Sequence, residues 1–126
     1  MAKGSRSADV AATPEATWAV AGDFGGIAAW FPGVGAVRLE GEDRVIDMGG
    51  MEIRERLFER SDGDMALVYG VVDNEGITLH RCRVAVEPDG DGSRVTMAYE
   101  VEPDGLLPMF DDVYGQAVES LSRHCT

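Results

Sequence analysis

Residues Leu106–Cys125 read LLPMFDDVYGQAVESLSRHC, and this stretch decides how the rest of the chain is organised. Apolar side chains recur in it at intervals of three and four residues, which is the period of one face of an α-helix. They are Leu106, Phe110, Val113, Tyr114, Ala117, Val118 and Leu121. Acidic and polar side chains occupy the opposite face. The pattern predicts one long amphipathic helix whose apolar face packs against a curved antiparallel sheet.

Composition limits the class of protein and the kinds of partner. The 126 residues are 44% hydrophobic, enough to bury a core in one domain spanning residues 1–126. There are 11 Lys and Arg against 23 Asp and Glu, a net charge of −12, which would repel a nucleic-acid backbone. No apolar run approaches the ~18 residues of a membrane span, and Met1–Val10 has no apolar signal core. We therefore expect a cytoplasmic protein that binds no nucleic acid and does not span a membrane.

The cysteines and histidines do not predict a metal site. Cys82 and Cys125 are the only cysteines, and one pair is a poor disulfide framework for a chain of this size, so we expect reduced thiols. His80 lies two residues before Cys82, and His124 directly precedes Cys125. Neither pair has the spacing of a zinc finger or knuckle. We expect no metal and no cofactor.

The chain before the long helix predicts a strand, two helices and a series of strands. Met1–Ser5 is small and polar and is expected to be frayed. Thr13-Pro14-Glu15 marks a helix start with Thr13 as its cap, and Gly25-Gly26 and Pro32-Gly33 end the two helices. The predicted elements are a strand over Ser7–Ala12, helices over Pro14–Phe24 and Ile27–Phe31, and strands over Ala36–Glu40, Arg44–Met48, Met51–Arg60, Met65–Val72, Ile77–Val86 and Arg94–Val101. This order predicts an α+β fold with about seven antiparallel strands.

Alternation along these strands predicts which side chains face the long helix. Arg81 and Arg83 choose the outer face of their strand, which places His80 and Cys82 inside. The same argument applied to the neighbouring strands gives one inward set. It consists of Ile53, Glu55 and Leu57; His80, Cys82, Val84 and Val86; and Val95, Met97, Tyr99 and Val101. In the strand over Met65–Val72, Leu67, Tyr69 and Val71 share one face, but neither face is polar, so alternation does not choose between them.

The order of several short motifs resembles a known family. The motifs are Ala11–Trp18, Asp23-Phe24-Gly25, Trp30–Val34, Glu55-Arg56-Leu57, Leu67-Val68-Tyr69 and Val86–Val95. Together, from Ser7 to Leu121, they resemble the START-like (SRPBCC) superfamily in its polyketide cyclase/dehydrase and lipid-transport branch. The resemblance implies a helix-grip fold, in which a curved antiparallel sheet wraps a long C-terminal helix and leaves a deep apolar cavity. Since this chain is short, we expect a smaller cavity than in lipid-carrying members.

The resemblance implies no fixed catalytic set, because members include lipid and hormone binders, aromatase/cyclases and lyases. The residues themselves offer Glu55 and His80 as candidate catalytic groups for proton transfer. Tyr69 and Tyr99 are candidate donors to a carbonyl or enolate oxygen. Glu55 has a second interpretation, as the partner of a structural arginine such as Arg44. His80 likewise has a structural interpretation, and the Cys82 thiol has no evident activating group.

The remaining candidate ligand-binding residues are apolar or aromatic. Met97 and Met48 from the strands, with Phe110 and Tyr114 from the long helix, would give adaptable walls to a chamber. Met51 and Met109 are further candidates for these walls, although methionine is also ordinary core filler. Cys82, Tyr69 and Tyr99 complete the predicted ligand-binding set. Trp18, Trp30 and Phe31 are assigned to the core or to the cavity rim.

Three functions are compatible with these residues. The first is binding of a small hydrophobic molecule, aromatic or polyketide-like, in a cavity between the sheet and the C-terminal helix, as a carrier or sensor. The second is a cyclase, dehydratase or lyase in which Glu55 and His80 transfer protons. The third is a protein-interaction module that uses the acidic surface. The sequence leaves open whether the protein forms a homodimer.

Overall fold

The computed structural model describes every residue, Met1–Thr126, and shows a sheet that curves around a C-terminal helix. The sheet has seven antiparallel strands in the order β1-β7-β6-β5-β4-β3-β2. The elements are β1 (Ala2–Val10), α1 (Pro14–Ala21), a 3₁₀ segment (Phe24–Ala29), β2 (Val34–Glu40), β3 (Asp43–Met48), β4 (Met51–Ser61), β5 (Ala66–Val72), β6 (Leu79–Asp89), β7 (Gly92–Glu102), a 3₁₀ turn (Asp104–Leu106) and α2 (Leu107–Cys125). The predicted α+β helix-grip fold is confirmed.

The long helix α2 lies against the sheet with the stripe that the sequence predicts. Phe110, Tyr114, Ala117, Val118 and Leu121 are its buried residues. They join the inner side chains of the strands in one core cluster of 21 buried residues. Helix α2 also bonds to the end of β1, since the Ser122 hydroxyl donates to the backbone oxygen of Asp9 at 2.6 Å. None of the helices has both the length and the apolar character needed to cross a membrane.

The first strand begins earlier than predicted. Met1–Ser5 is not a frayed end, because β1 pairs with β7 from Ala2 opposite Val101 to Val10 opposite Ser93. Strand β7 runs on to Glu102 and presents a backbone edge along its whole length. Backbone hydrogen bonds to such an edge need no pattern of side chains, so small polar residues can join the sheet.

The region between α1 and β2 also differs from the prediction. The Thr13 cap is confirmed, since the backbone N–H of Ala16 donates to the Thr13 hydroxyl at 3.2 Å. Helix α1 ends at Ala21 rather than near Phe24. Gly22 still donates to the Trp18 carbonyl at 2.7 Å, and the N–H of Asp23 then bonds to the Val20 carbonyl at 3.2 Å, a tighter turn that closes the helix. The second helix is the 3₁₀ segment over Phe24–Ala29 instead of Ile27–Phe31. Its tighter winding starts before Gly25-Gly26, which the sequence had marked as a break.

The predicted inward faces are confirmed across the centre of the sheet. Tyr69 pairs with Cys82, and Cys82 pairs with Tyr99, so the three lie in one row on the inner face. All three are buried, as are Glu55 and His80. Ile53, Leu57 and Val71 are half-buried.

Gly70 allows β5 and β6 to approach each other closely. A Cβ atom at this position would lie 2.0 Å from the carbonyl oxygen of His80, which is backbone and cannot rotate away. The side chain of Phe58 lies on the same side, 2.8 Å from that Cβ position. Any side chain at residue 70 therefore forces the two strands apart.

We expect Gly70→Ala to destabilise the protein by about 2 kcal/mol or more, because the added methyl group would clash with the His80 carbonyl and strain the backbone of both strands. The free energy of unfolding is measured by urea denaturation. Gly63→Ala is the matched control, since nothing lies within 4 Å of a Cβ atom at that turn position. Equal stability of the two variants would contradict the close approach of β5 and β6.

Candidate functional site

The interface between the sheet and α2 is filled by aromatic rings. The Tyr114 ring lies 4.7 Å from that of Tyr99 and 6.1 Å from that of His80, measured between centroids. Phe110 stacks on His80 at 4.9 Å. These rings occupy the space that the sequence assigned to a guest molecule. The predicted cavity between the sheet and the long helix is therefore not found there.

The enclosed space that remains lies beneath α1 and the 3₁₀ segment. It has a volume of about 10 Å³, which is the lower limit for one water molecule. Its walls are Ala21, Asp23, Phe24, Ile27, Trp30, Arg44, Leu67, Tyr69, Val84 and Met97. Eight of these ten residues are hydrophobic. No residue of α2 borders the cavity. Its walls are the inner face of the sheet and residues Ala21–Trp30, which we call the covering segment.

His80 joins the sheet to α2 through both of its ring nitrogens. Regular pairing of β5 with β6 stops at Tyr69 and Cys82, and beyond it the backbone N–H of Val71 donates to Nδ1 of His80 at 3.0 Å. Because a backbone N–H can only donate, Nδ1 carries no proton and the neutral ring carries it on Nε2. Nε2 then donates to the Tyr114 hydroxyl, 2.7 Å away. Tyr114 and Tyr69 share a further hydrogen bond of 2.9 Å between their hydroxyls.

Burial keeps this group of side chains uncharged. Removal from water, with a smaller effect of the Arg44 charge, lowers the pKa of His80 from 6.5 to about 4. Burial also raises the pKa of Cys82 to about 12 and the pKa of both Tyr69 and Tyr114 well above 10. At neutral pH none of the four changes its protonation state. The Cys82 thiol is thus a poor nucleophile.

Arg44 and Glu55 form a buried ion pair beside the cavity. They are cross-strand neighbours in β3 and β4, and Nε and Nη2 of Arg44 each lie 2.8 Å from Oε1 of Glu55. Nη1 of Arg44 donates to the backbone oxygen of Phe24 at 2.9 Å, and the guanidinium lies 3.9 Å from the centroid of the Phe24 ring. The pair therefore holds the start of the 3₁₀ segment against the sheet.

The chain was compared with known proteins. The family model described as polyketide cyclase / dehydrase and lipid transport matches residues 1–125. The protein belongs to this family. The resemblance inferred from the short motifs is confirmed. A search of curated proteins finds none that matches this chain.

Solved structures show the same fold. A solution NMR structure from Thermobifida fusca is 32% identical, with a TM-score of 0.86 over 98% of this chain and 93% of that one. A START superfamily protein from Mycobacterium smegmatis is 16% identical, with a TM-score of 0.78 over 98% of this chain and 99% of that one. The di-domain ARO/CYC protein BexL is 13% identical, with a TM-score of 0.83 over 98% of this chain and 46% of that one.

Of the side chains that the sequence nominated for this family's ligand site, two border the cavity. These are Tyr69 and Met97. Glu55 and His80 lie outside its walls, the first held by Arg44 and the second by Val71 and Tyr114.

Other nominated side chains lie away from the cavity. Cys82, Phe110 and Tyr114 are buried in the interface between the sheet and α2. The Tyr99 ring is buried, but its hydroxyl donates to Asp111 of α2, and burial together with that carboxylate raises the pKa of Tyr99 to about 12. Met48 is half-buried near the turn at Gly33.

The predicted cavity walls included two methionines that are exposed and omitted residues that do line the cavity. Met51 is 65% exposed and Met109 is 50% exposed, so neither can be a chamber wall. The sequence reasoning missed the walls contributed by Ala21, Phe24 and Ile27. Their signal was the glycine pair at residues 25 and 26, which marks a loosely wound segment but does not show what that segment covers.

The structure contains no group of three or more His, Cys, Asp and Glu side chains placed to hold a metal ion. Arg44 and Glu55 bond to each other, and the neutral His80 bonds to Val71 and Tyr114. The polar groups at the centre of the fold therefore bind each other, and the cavity beside them is apolar.

The His80 environment predicts how stability depends on pH. Between about pH 4 and pH 6.5 the unfolded imidazole binds a proton that the folded one does not, so the unfolded state binds more protons and stability rises with pH. On acidification from pH 6.5 to pH 4 we expect a loss of about 3 kcal/mol. The free energy of unfolding is measured by urea titration at each pH.

Two variants isolate the contribution of this ring. His80→Gln should flatten the dependence on pH in this window, whereas His124→Gln, at the exposed histidine of the chain end, should retain it. The account of His80 fails if both variants keep the slope of the wild type.

Proposed function

We propose that the protein binds a small hydrophobic molecule, aromatic or polyketide-like, in the cavity beneath α1 and the 3₁₀ segment, as a carrier or sensor. The observation that carries the proposal is the character of the cavity walls. They are predominantly apolar and include the aromatic side chains of Phe24, Trp30 and Tyr69. Such concave apolar walls with few polar groups are typical of small-molecule sites.

A guest larger than water requires the cavity to widen. The 3₁₀ segment is the element best suited to move, because no side chain caps its start and its winding includes Gly25 and Gly26. It lies outside the sheet, so displacing it breaks none of the hydrogen bonds between strands. The link from Arg44 to the Phe24 carbonyl is the polar contact that closes the segment over the cavity. We infer that a guest enters at Phe24.

The polar groups near the cavity favour binding over catalysis. General acid/base work needs a group that gains or loses a proton near the working pH. His80 is neutral with both nitrogens bonded, and the Glu55 carboxylate is paired with Arg44. Neither group is available to a guest in the cavity.

The family supports the same class of function. Its description includes lipid transport beside polyketide cyclase and dehydrase. Among the structures with this fold, one is titled a START superfamily protein and another a di-domain ARO/CYC protein. An apolar guest is the feature that we carry over from these descriptions to this chain.

The proposal predicts that small planar aromatics stabilise the folded protein. A compound that binds only the folded state adds about 2.7 kcal/mol at a concentration one hundredfold above its Kd, and the melting temperature rises accordingly. The test is thermal denaturation with indane, naphthalene and related compounds.

Two alanine-to-leucine variants test whether the compounds bind in the cavity. Ala21→Leu extends into the cavity and should abolish the stabilisation, whereas Ala29→Leu places the same side chain at an exposed position of the 3₁₀ segment and should preserve it. The proposal is wrong if no compound raises the melting temperature of the wild type, or if Ala21→Leu responds as fully as Ala29→Leu.

A further inference from the structure

The indole N–H of Trp30 is a buried donor without a partner. Trp30 is 7% exposed, and its Nε1 is the only buried side-chain nitrogen or oxygen in the chain that makes no hydrogen bond. A buried donor left unpaired is unfavourable, and native proteins rarely retain one without a reason. Trp30 is also a wall of the cavity beneath α1 and the 3₁₀ segment. A guest in this cavity would therefore lie beside the Trp30 side chain.

The second tryptophan shows the ordinary arrangement. Nε1 of Trp18 donates to Oδ1 of Asp62 at 3.1 Å. Its donor is therefore satisfied within the chain, as is usual for a buried indole. The contrast makes Trp30 the exception in this protein.

The other polar groups of the cavity walls are already engaged. The Tyr69 hydroxyl is bonded to Tyr114, and the Arg44 guanidinium is bonded to Glu55 and to the Phe24 carbonyl. The remaining polar wall residue, Asp23, is exposed and would repel an anion at the entrance. A guest thus meets one free donor and no uncompensated positive charge.

Trp30 has its own anchors, which differ from the Arg44 contact that holds Phe24 at the start of the 3₁₀ segment. Its backbone oxygen accepts a hydrogen bond from the Ser120 hydroxyl of α2. Its ring packs against Phe31, with 5.5 Å between centroids. The donor therefore keeps its place when the Phe24 end of the segment opens.

We propose that Trp30 Nε1 binds the guest, and that it selects a compact apolar molecule carrying one uncharged hydrogen-bond acceptor, such as a ketone. This inference rests on the proposed function, because it assigns a polar contact to the same cavity. A guest with charges or with several polar groups would leave them unpaired against apolar walls.

A matched pair of compounds tests the proposal. 1-Indanone and indane have the same fused rings, and only 1-indanone carries a carbonyl oxygen. We expect 1-indanone to bind roughly three- to tenfold more tightly than indane, which is the usual worth of one net hydrogen bond. In ¹H–¹⁵N spectra, 1-indanone should move the Trp30 indole proton downfield and leave that of Trp18 in place. Trp30→Phe keeps an aromatic ring without the N–H and should remove the preference for the ketone.

Each outcome decides the matter. Preference for 1-indanone with a shift of the Trp30 indole supports the proposal, and the wild-type spectrum gives this result even if Trp30→Phe does not fold. Equal binding of the two compounds with no shift overturns it and leaves the proposed function standing; a single water molecule that satisfies Trp30 would give this result. Failure of both compounds, and of the wider aromatic series, to bind would overturn the proposed function and this inference with it.

Discussion

The structure depends on the imidazole of His80, which joins the end of the β5–β6 pairing to α2 and shares the Tyr114 hydroxyl with Tyr69. On one side it accepts the backbone N–H of Val71, just beyond the last regular pair of β5 with β6. On the other side it donates to Tyr114 of the long helix. Buried polar groups must be paired, so the position of α2 on the sheet follows from this ring as well as from apolar packing.

The buried charges obey the same requirement. A single buried charge is very unfavourable, but the charge of Arg44 is compensated by Glu55 in the adjacent strand. Nη1 of Arg44 donates to the Phe24 carbonyl. The candidate groups for proton transfer, Glu55 and His80, are therefore both bonded within the fold. The fold leaves a small apolar cavity and one unpaired indole N–H, which is why we propose a binding function for the protein.

Periodic features of the sequence predicted most of the fold. The stripe of α2 was visible because Phe110, Tyr114 and Leu121 repeat with the helical period, and the inward placement of His80 followed from the arginines on either side of Cys82. The early start of β1 was not predictable, because its first residues show no apolar alternation and their backbone bonds to β7 require none. The same limit applies to the 3₁₀ segment, whose covering role depends on tertiary contacts rather than on period.

The candidate site was predicted less well, for reasons of volume and reach. Alternation places Tyr99 on the inner face, but it does not reveal that the hydroxyl extends to Asp111 of the helix. Nor does it reveal that the rings of Phe110 and Tyr114 fill the space beside the sheet, which moves the remaining cavity under the covering segment. The pairing of Glu55 with Arg44 was one of two interpretations left open by the sequence, and the choice between them required the distance between the side chains.

The most direct test of this account is the protonation state of His80, read from the ¹⁵N chemical shifts of its ring nitrogens between pH 5 and pH 8. The account predicts a neutral ring throughout, with the proton on Nε2, none on Nδ1, and a pKa of about 4. A ring that becomes charged near pH 6.5, or that carries its proton on Nδ1, would contradict the structural role of His80 and return it to the candidates for proton transfer.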